Sequence, residues 1–150
     1  MIYKYFFSVS GDNLYPEQIL DKIQGDFIVD SYFSPTDKKF DNNSDDYQYG
    51  GISFWHPNKF SIEDNVVEYE RCFIEFIEKN YLLFTKNGAD EFQIFIEIYY
   101  SGNQCNFEIF NKFLLKKLSI FEVSIPISVF ILEEEELQEW ENEIKLIWEI

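Results

Sequence analysis

Residues Glu91 to Tyr100 alternate strictly, with Phe92, Ile94, Ile96, Ile98 and Tyr100 on one side of the chain and polar residues dominating the other. A period of two is the signature of an extended strand, because successive side chains point to opposite faces. So long a run is expected inside a sheet, paired on both edges. Four further runs read the same way. Met1-Ile2-Tyr3-Lys4-Tyr5-Phe6-Phe7-Ser8-Val9 opens a strand over residues 2–10, ended by the turn Gly11-Asp12-Asn13. Phe27 to Phe33, Gly51 to Trp55, and Phe121 to Leu132 follow. Pro126 lacks an amide donor, so the last of these is expected at an edge or bulged.

Between the strands the spacing changes to three and four. Pro16 and Glu17 suit a first helical turn, Ile19, Leu20 and Ile23 give it an apolar stripe, and Gly25 stops it. Ser61 is an expected N-cap with Asp64 three residues on, and Ile62, Val66, Tyr69, Phe73, Phe76 and Ile77 then line the clearest amphipathic helix. Asn106 is expected to cap a helix that turns Ile109, Phe110, Phe113, Leu114 and Leu118 inward. Glu133 to Glu136 open a last helix with their acids at its favourable end, and Leu137, Trp140, Ile144, Ile147 and Trp148 line one side. The order β-α-β-β-α-β-α-β-α predicts an α+β fold: a single sheet of about five strands with helices on one face, plus an acidic C-terminal helix. Residues 1–150 read as one domain, with 133–150 as its acidic helix.

Charge excludes more than it selects. Asp and Glu number 28 against 12 Lys and Arg, a net −16, and there is one Arg. Phosphate binding is carried by cationic side chains, so nucleic-acid binding is the function most disfavoured. Aromatic residues make up 20% of the chain, which speaks against disorder. No apolar run approaches the ~20 residues needed to span a bilayer, and the start lacks the basic and apolar regions of a signal peptide. Cys72 and Cys105 show no CxxC spacing and read as reduced thiols of a cytoplasmic protein.

No catalytic constellation stands out. His56-Pro57 follows a strand and reads as a turn, with no local ligand spacing to either Cys. Cys72 lies beside the apolar stripe of its helix, where a buried thiol is inert. Asp37, Asp41, Asp45 and Asp46 lack the spacing of a calcium loop, and no phosphate-binding glycine loop is present. Cofactor, metal and catalytic residues are therefore expected to be none.

The opening Tyr5-Phe6-Phe7-Ser8-Val9-Ser10-Gly11-Asp12-Asn13-Leu14-Tyr15-Pro16-Glu17-Gln18-Ile19 resembles the start of the bacterial domain-of-unknown-function 4279 family, a strand followed by a Gly-Asp-x-Leu-x-Pro-x-x-Ile turn. Gly51 and Trp55 match its second hairpin loosely, and the likeness covers residues 2–132. The family has no established activity, so no site residue carries over. Small acidic bacterial proteins of this kind often serve as immunity proteins beside toxins, and the resemblance implies such a role here.

The residues thus favour a non-enzymatic binding protein, an immunity-type inhibitor of a basic toxin acting by occlusion. Residues 133–149 carry eight Glu against Lys145, and this acidic face, with Asp41, Asp45 and Asp46, is expected to steer a basic partner. Glu133, Glu134, Glu135 and Glu136 are the charged contacts; Tyr47, Tyr49, Trp55 and Trp140 are the expected aromatic contacts. The alternative is a small-ligand or regulatory domain with an aromatic-lined pocket between sheet and helices. An enzyme using Asp or Glu ranks third.

Overall fold

The computed structural model describes residues 1–39, 45–104 and 106–148. Asp41, Cys105 and the Trp148 side chain lie outside the described residues. Five strands form one mixed sheet: β1 (Ile2–Gly11), β2 (Ile28–Phe33), β3 (Gly50–Trp55), β4 (Glu91–Tyr100) and β5 (Ile127–Ile131). Their order is β2-β3-β1-β4-β5, with only β4 and β5 parallel. The α+β reading holds, and β4 is paired on both sides as its length requires. The middle strand is β1.

Alternation decides which side chains meet. Tyr5, Phe7 and Val9 of β1 lie with Phe92, Ile94, Ile96 and Ile98 of β4 and with Ile52 and Phe54 of β3, all almost fully buried. Helix α1 (Tyr69–Lys86) covers this face with Phe73, Ile74, Phe76, Ile77 and Phe84. Its end is a left-handed Gly88 at φ +94. A Cβ on Gly11 would sit 1.9 Å from the Gly88 carbonyl oxygen, so the end of β1 and the α1–β4 turn need glycine at both positions. Helix α2 (Lys112–Leu118) packs beside α1 through Leu118 and the half-buried Leu114.

Helix α3 (Glu134–Trp148) lies against the opposite face. Ile2 of β1 points there, and with Ile62, Leu137 and Ile144 it forms a second small core. Trp140 meets Tyr99 edge-on at 4.6 Å and Phe60 at 6.0 Å. The expected docking of Leu137, Trp140 and Ile144 is found, while Ile147 stays 64% exposed. Among the described residues, α3 covers one end of this second face.

Four expectations need correction. The helix from Pro16 is two separate 3-10 turns, Pro16–Gln18 and Leu20–Lys22. Ile19 at φ −128 breaks the helical path between them, while its side chain is driven into the core. The long helix starts at Tyr69, not Ser61. Ser61 is engaged instead in a bridge to Tyr3, with both backbone bonds at 2.9 Å, and its hydroxyl accepts from Val67 N at 3.0 Å. A residue held in that bridge cannot open a helix; Ile62 packs in the second core and Val66 is 73% exposed. The α2 cap is Asn111, whose side-chain oxygen accepts from Phe113 N and Leu114 N at 3.0 and 3.1 Å, not Asn106. Phe113 is 71% exposed and not turned inward. The last strand is shorter than expected. Residues Ser119–Phe121 make a 3-10 turn and Glu122 is left-handed at φ 52. Its edge position matches the reading of Pro126.

One buried polar residue escaped the sequence reading. Asn80 of α1 is fully buried, donates to the carbonyls of Gln24 and Phe76 at 2.8 and 2.9 Å, and accepts from Gln24 N at 2.8 Å. It ties the segment after the 3-10 turns to α1.

Candidate functional site

The uncovered part of the second sheet face carries three bands of side chains. Nearest α3, Lys4 pairs with Glu97 at 2.8 Å, and Glu97 also accepts from the Tyr99 hydroxyl at 2.8 Å. Burial and then this carboxylate hold the Tyr99 hydroxyl well above the usual phenol range. Next comes an aromatic band. Phe6 stacks on Phe95 at 4.6 Å and meets Trp55 at 5.1 Å, and all three are half-buried. Both Lys4 and Lys59 place their ammonium groups over the Trp55 ring, at 4.9 and 5.6 Å. The Trp55 ring thus already holds two cations at cation–π distance.

Beyond it the strands bring Ser8, Ser53 and Gln93 side by side, because Ser8 pairs with both. These residues floor a trough of about 790 Å³. Its rim holds Asp12, Asp90 and Glu91, all exposed, and the rings of Phe33 and Tyr49. Among the described residues no Lys or Arg lines it. Phe33 stacks on Tyr47 at 4.1 Å and meets Tyr49 edge-on at 5.1 Å, so the three rings form one aromatic wall. Gly51 makes room for it: a Cβ there would lie 2.7 Å from the Phe33 ring.

The expected contact residues divide between the two ends of the sheet. Tyr49 lines the trough, and Tyr47 reaches it only by stacking on Phe33. Asp45 is exposed nearby, and Asp46 pairs with Lys38 at 2.6 Å. Trp55 lies in the aromatic band. Glu133, Glu134, Glu135 and Glu136 are exposed at the far end, at the start of α3, and the structure does not bring them to the trough. Trp140 is spent on internal packing against Tyr99 and Phe60. The trough carboxylates Asp12, Asp90 and Glu91 were missed. Each sits at a strand end or turn, where an acid reads as solvated, and only pairing of β1 with β4 gathers them.

A second cavity of about 450 Å³ lies between β1, the 61–70 segment and residues 108–109. Tyr3, Tyr5 and Tyr69 line it with Ile62, Val66, Val67 and Ile109, and its acids are Glu63, Glu70 and Glu108. The Tyr5 hydroxyl donates to Glu70 Oε1 at 2.9 Å. Burial, and then Glu70, push the Tyr5 hydroxyl far above its ordinary range; burial does the same to Tyr69.

Cys72 and His56 share a smaller cavity of about 220 Å³ with Glu75 and Lys79. The local electrostatics run against a thiolate nucleophile. Burial, and then Glu75 and Glu68, raise the Cys72 thiol, and burial lowers the imidazole. His56 Nδ1 lies 3.0 Å from Asn58 N and 3.2 Å from Asn58 O, so in either tautomer that nitrogen is engaged by its own turn. His56 closes a turn, as expected. Among the described residues no group of three or more His, Cys, Asp or Glu is placed to hold a metal ion. No helix among them is long and apolar enough to cross a membrane. Comparison with family models, curated proteins and solved structures finds no match to this chain.

Proposed function

We propose that this chain is a non-enzymatic binding protein of the cytoplasm whose open sheet face receives a basic protein, as an immunity-type inhibitor would occlude a basic toxin. The observation that carries this reading is the trough, where Asp12, Asp90 and Glu91 surround a Ser and Gln floor beside an aromatic wall, with no cation among the described lining residues. A Lys or Arg of the partner entering it would meet carboxylates at its head and ring faces along its stem. The Phe6–Trp55–Phe95 band would supply apolar contact next to it. The net charge of −16 would speed encounter with a basic surface. Hydrogen exchange with and without a captured basic partner tests this. Protection is expected across Ser8 to Asp12 and Tyr49 to Ser53; protection confined to other segments would reject the open face as the contact.

The cavity between β1 and the start of α1 supports a second reading. Its apolar body and its three glutamates suit an organic cation with an apolar frame. Thermal-shift titration with aliphatic and aromatic amines, repeated on Glu70→Gln, separates this from the first reading. A shift that Glu70→Gln abolishes supports it; no shift with any amine rejects it.

A further inference from the structure

We propose that β5 is a self-association edge, where two copies of this chain pair antiparallel about Val129 and join their sheets. The parity of its hydrogen bonds sets the argument. Toward β4, the carbonyls of Ser124 and Pro126 accept from Ile94 and Ile96 at 2.9 Å each, and Leu132 N donates to Tyr100 O at 2.9 Å. Even-numbered residues therefore face β4. The N–H and C=O groups of Ile127, Val129 and Ile131 point outward, and β5 is the last strand of the sheet.

The two edges of the sheet are treated differently. The β2 edge carries a bulge between Val29 and Ser31, with Asp30 inside it, which are devices that discourage pairing. The β5 edge has neither. Its proline, Pro126, faces β4 and leaves the outer row of donors intact. Residues 123–132 contain no charged side chain in a chain of net charge −16. Ile127, Val129, Phe130 and Ile131 are 49, 49, 41 and 69% exposed.

The pattern is self-complementary. Pairing about Val129 sets Ile127 opposite Ile131 of the second copy, matches outward groups to outward groups, and aligns the Ile127, Val129 and Ile131 side chains in one apolar row. Charge chooses the direction. Parallel pairing would set both Glu133–Glu136 clusters side by side, about 4.8 Å apart per strand spacing. Antiparallel pairing holds the two Glu133 residues roughly 27 Å apart at about 3.4 Å per residue, beyond the screening length in physiological salt. Lys116 and Lys117 end α2 ahead of β5, but Lys117 pairs with Glu78 at 3.4 Å and Glu122 follows them, so the direction rests on keeping the two acidic clusters apart.

Sedimentation of the full chain over a concentration series tests the proposal. The parent is expected to double in mass with rising concentration, at lower concentration in higher salt. Val129→Pro removes an outward donor without touching the β4 ladder, and Val129→Lys places charge in the apolar row; each should weaken association at least tenfold. Leu82→Lys on α1, 68% exposed, should leave it unchanged. In the parent, amide exchange at Ile127, Val129 and Ile131 should slow as concentration rises, a readout independent of how the variants fold. A parent that stays monomeric, a Val129→Pro that dimerises like the parent, or β5 amides protected only by an added unrelated protein would overturn the second copy as occupant.

Discussion

Asn80→Ala is expected to destabilise the fold by about 1–3 kcal/mol. Three hydrogen bonds are lost, two of them joining Gln24 to α1. A net bond is worth about 0.5–1.5 kcal/mol, so the two inter-segment bonds give about 1–3 kcal/mol. The Phe76 carbonyl still accepts from Asn80 N within the helix, and Gln24 is exposed enough to regain water. Both effects hold the value below that of a large core truncation. Asn80→Asp is the sharper variant. It keeps the acceptor for Gln24 N but sets a carboxylate against two carbonyl oxygens in a fully buried site. Its pKa would rise in the folded state. The stability linked to that carboxyl is then present below the unfolded value of about 3.9 and lost as pH rises above it. Urea unfolding from pH 4 to 8 measures this. Asn80→Ala should lower the midpoint equally at every pH, and Asn80→Asp should lower it further toward neutrality. A change under about 0.5 kcal/mol for Ala, or a flat pH profile for Asp, would refute the tie between the 3-10 turns and α1.

Four other outcomes are expected. Phe73→Ala and Ile96→Ala, each almost fully buried, should cost about 2–5 kcal/mol in denaturant melts. Raised Tyr5, Tyr69 and Tyr99 hydroxyls favour the protonated folded state, so stability should hold below about pH 10 and fall as pH rises past it; absorbance at alkaline pH should show these tyrosines ionising with unfolding. No DNA or RNA binding is expected at physiological salt, and a salt-dependent mobility shift at micromolar protein would overturn that. Changing Glu133, Glu134, Glu135 and Glu136 to Gln should slow association with a basic partner and flatten its salt dependence, with dissociation changed less; stopped-flow kinetics measure both.

Much of the sheet was legible because strand periodicity is local. The alternation at Ile2 to Val9 and Glu91 to Tyr100 gave bounds within a residue of those found. Errors gathered where a distant contact overrides local preference. Ser61 has a good cap signature, but Tyr3 takes its backbone groups. Pro16 to Ile23 has a helical stripe, but burying Leu14 and Ile19 under the sheet breaks the path into single turns. The trough was illegible for the same reason. Asp12 and Glu91 are far apart along the chain and meet only through the register that pairs Ser10 with Glu91. The acidic run at Glu133 to Glu136 drew the eye because it is contiguous, yet it caps a helix that docks elsewhere.

The central claim is that the trough, and not acidity in general, receives the basic partner. Two variants of equal charge change test it: Asp12→Asn, Asp90→Asn and Glu91→Gln together, and Glu133→Gln, Glu134→Gln and Glu135→Gln together. Equilibrium affinity for the captured partner is measured with each. The account predicts at least a tenfold loss for the trough variant and a change under threefold for the helix variant. Equal losses, or a larger loss for the helix variant, would contradict it.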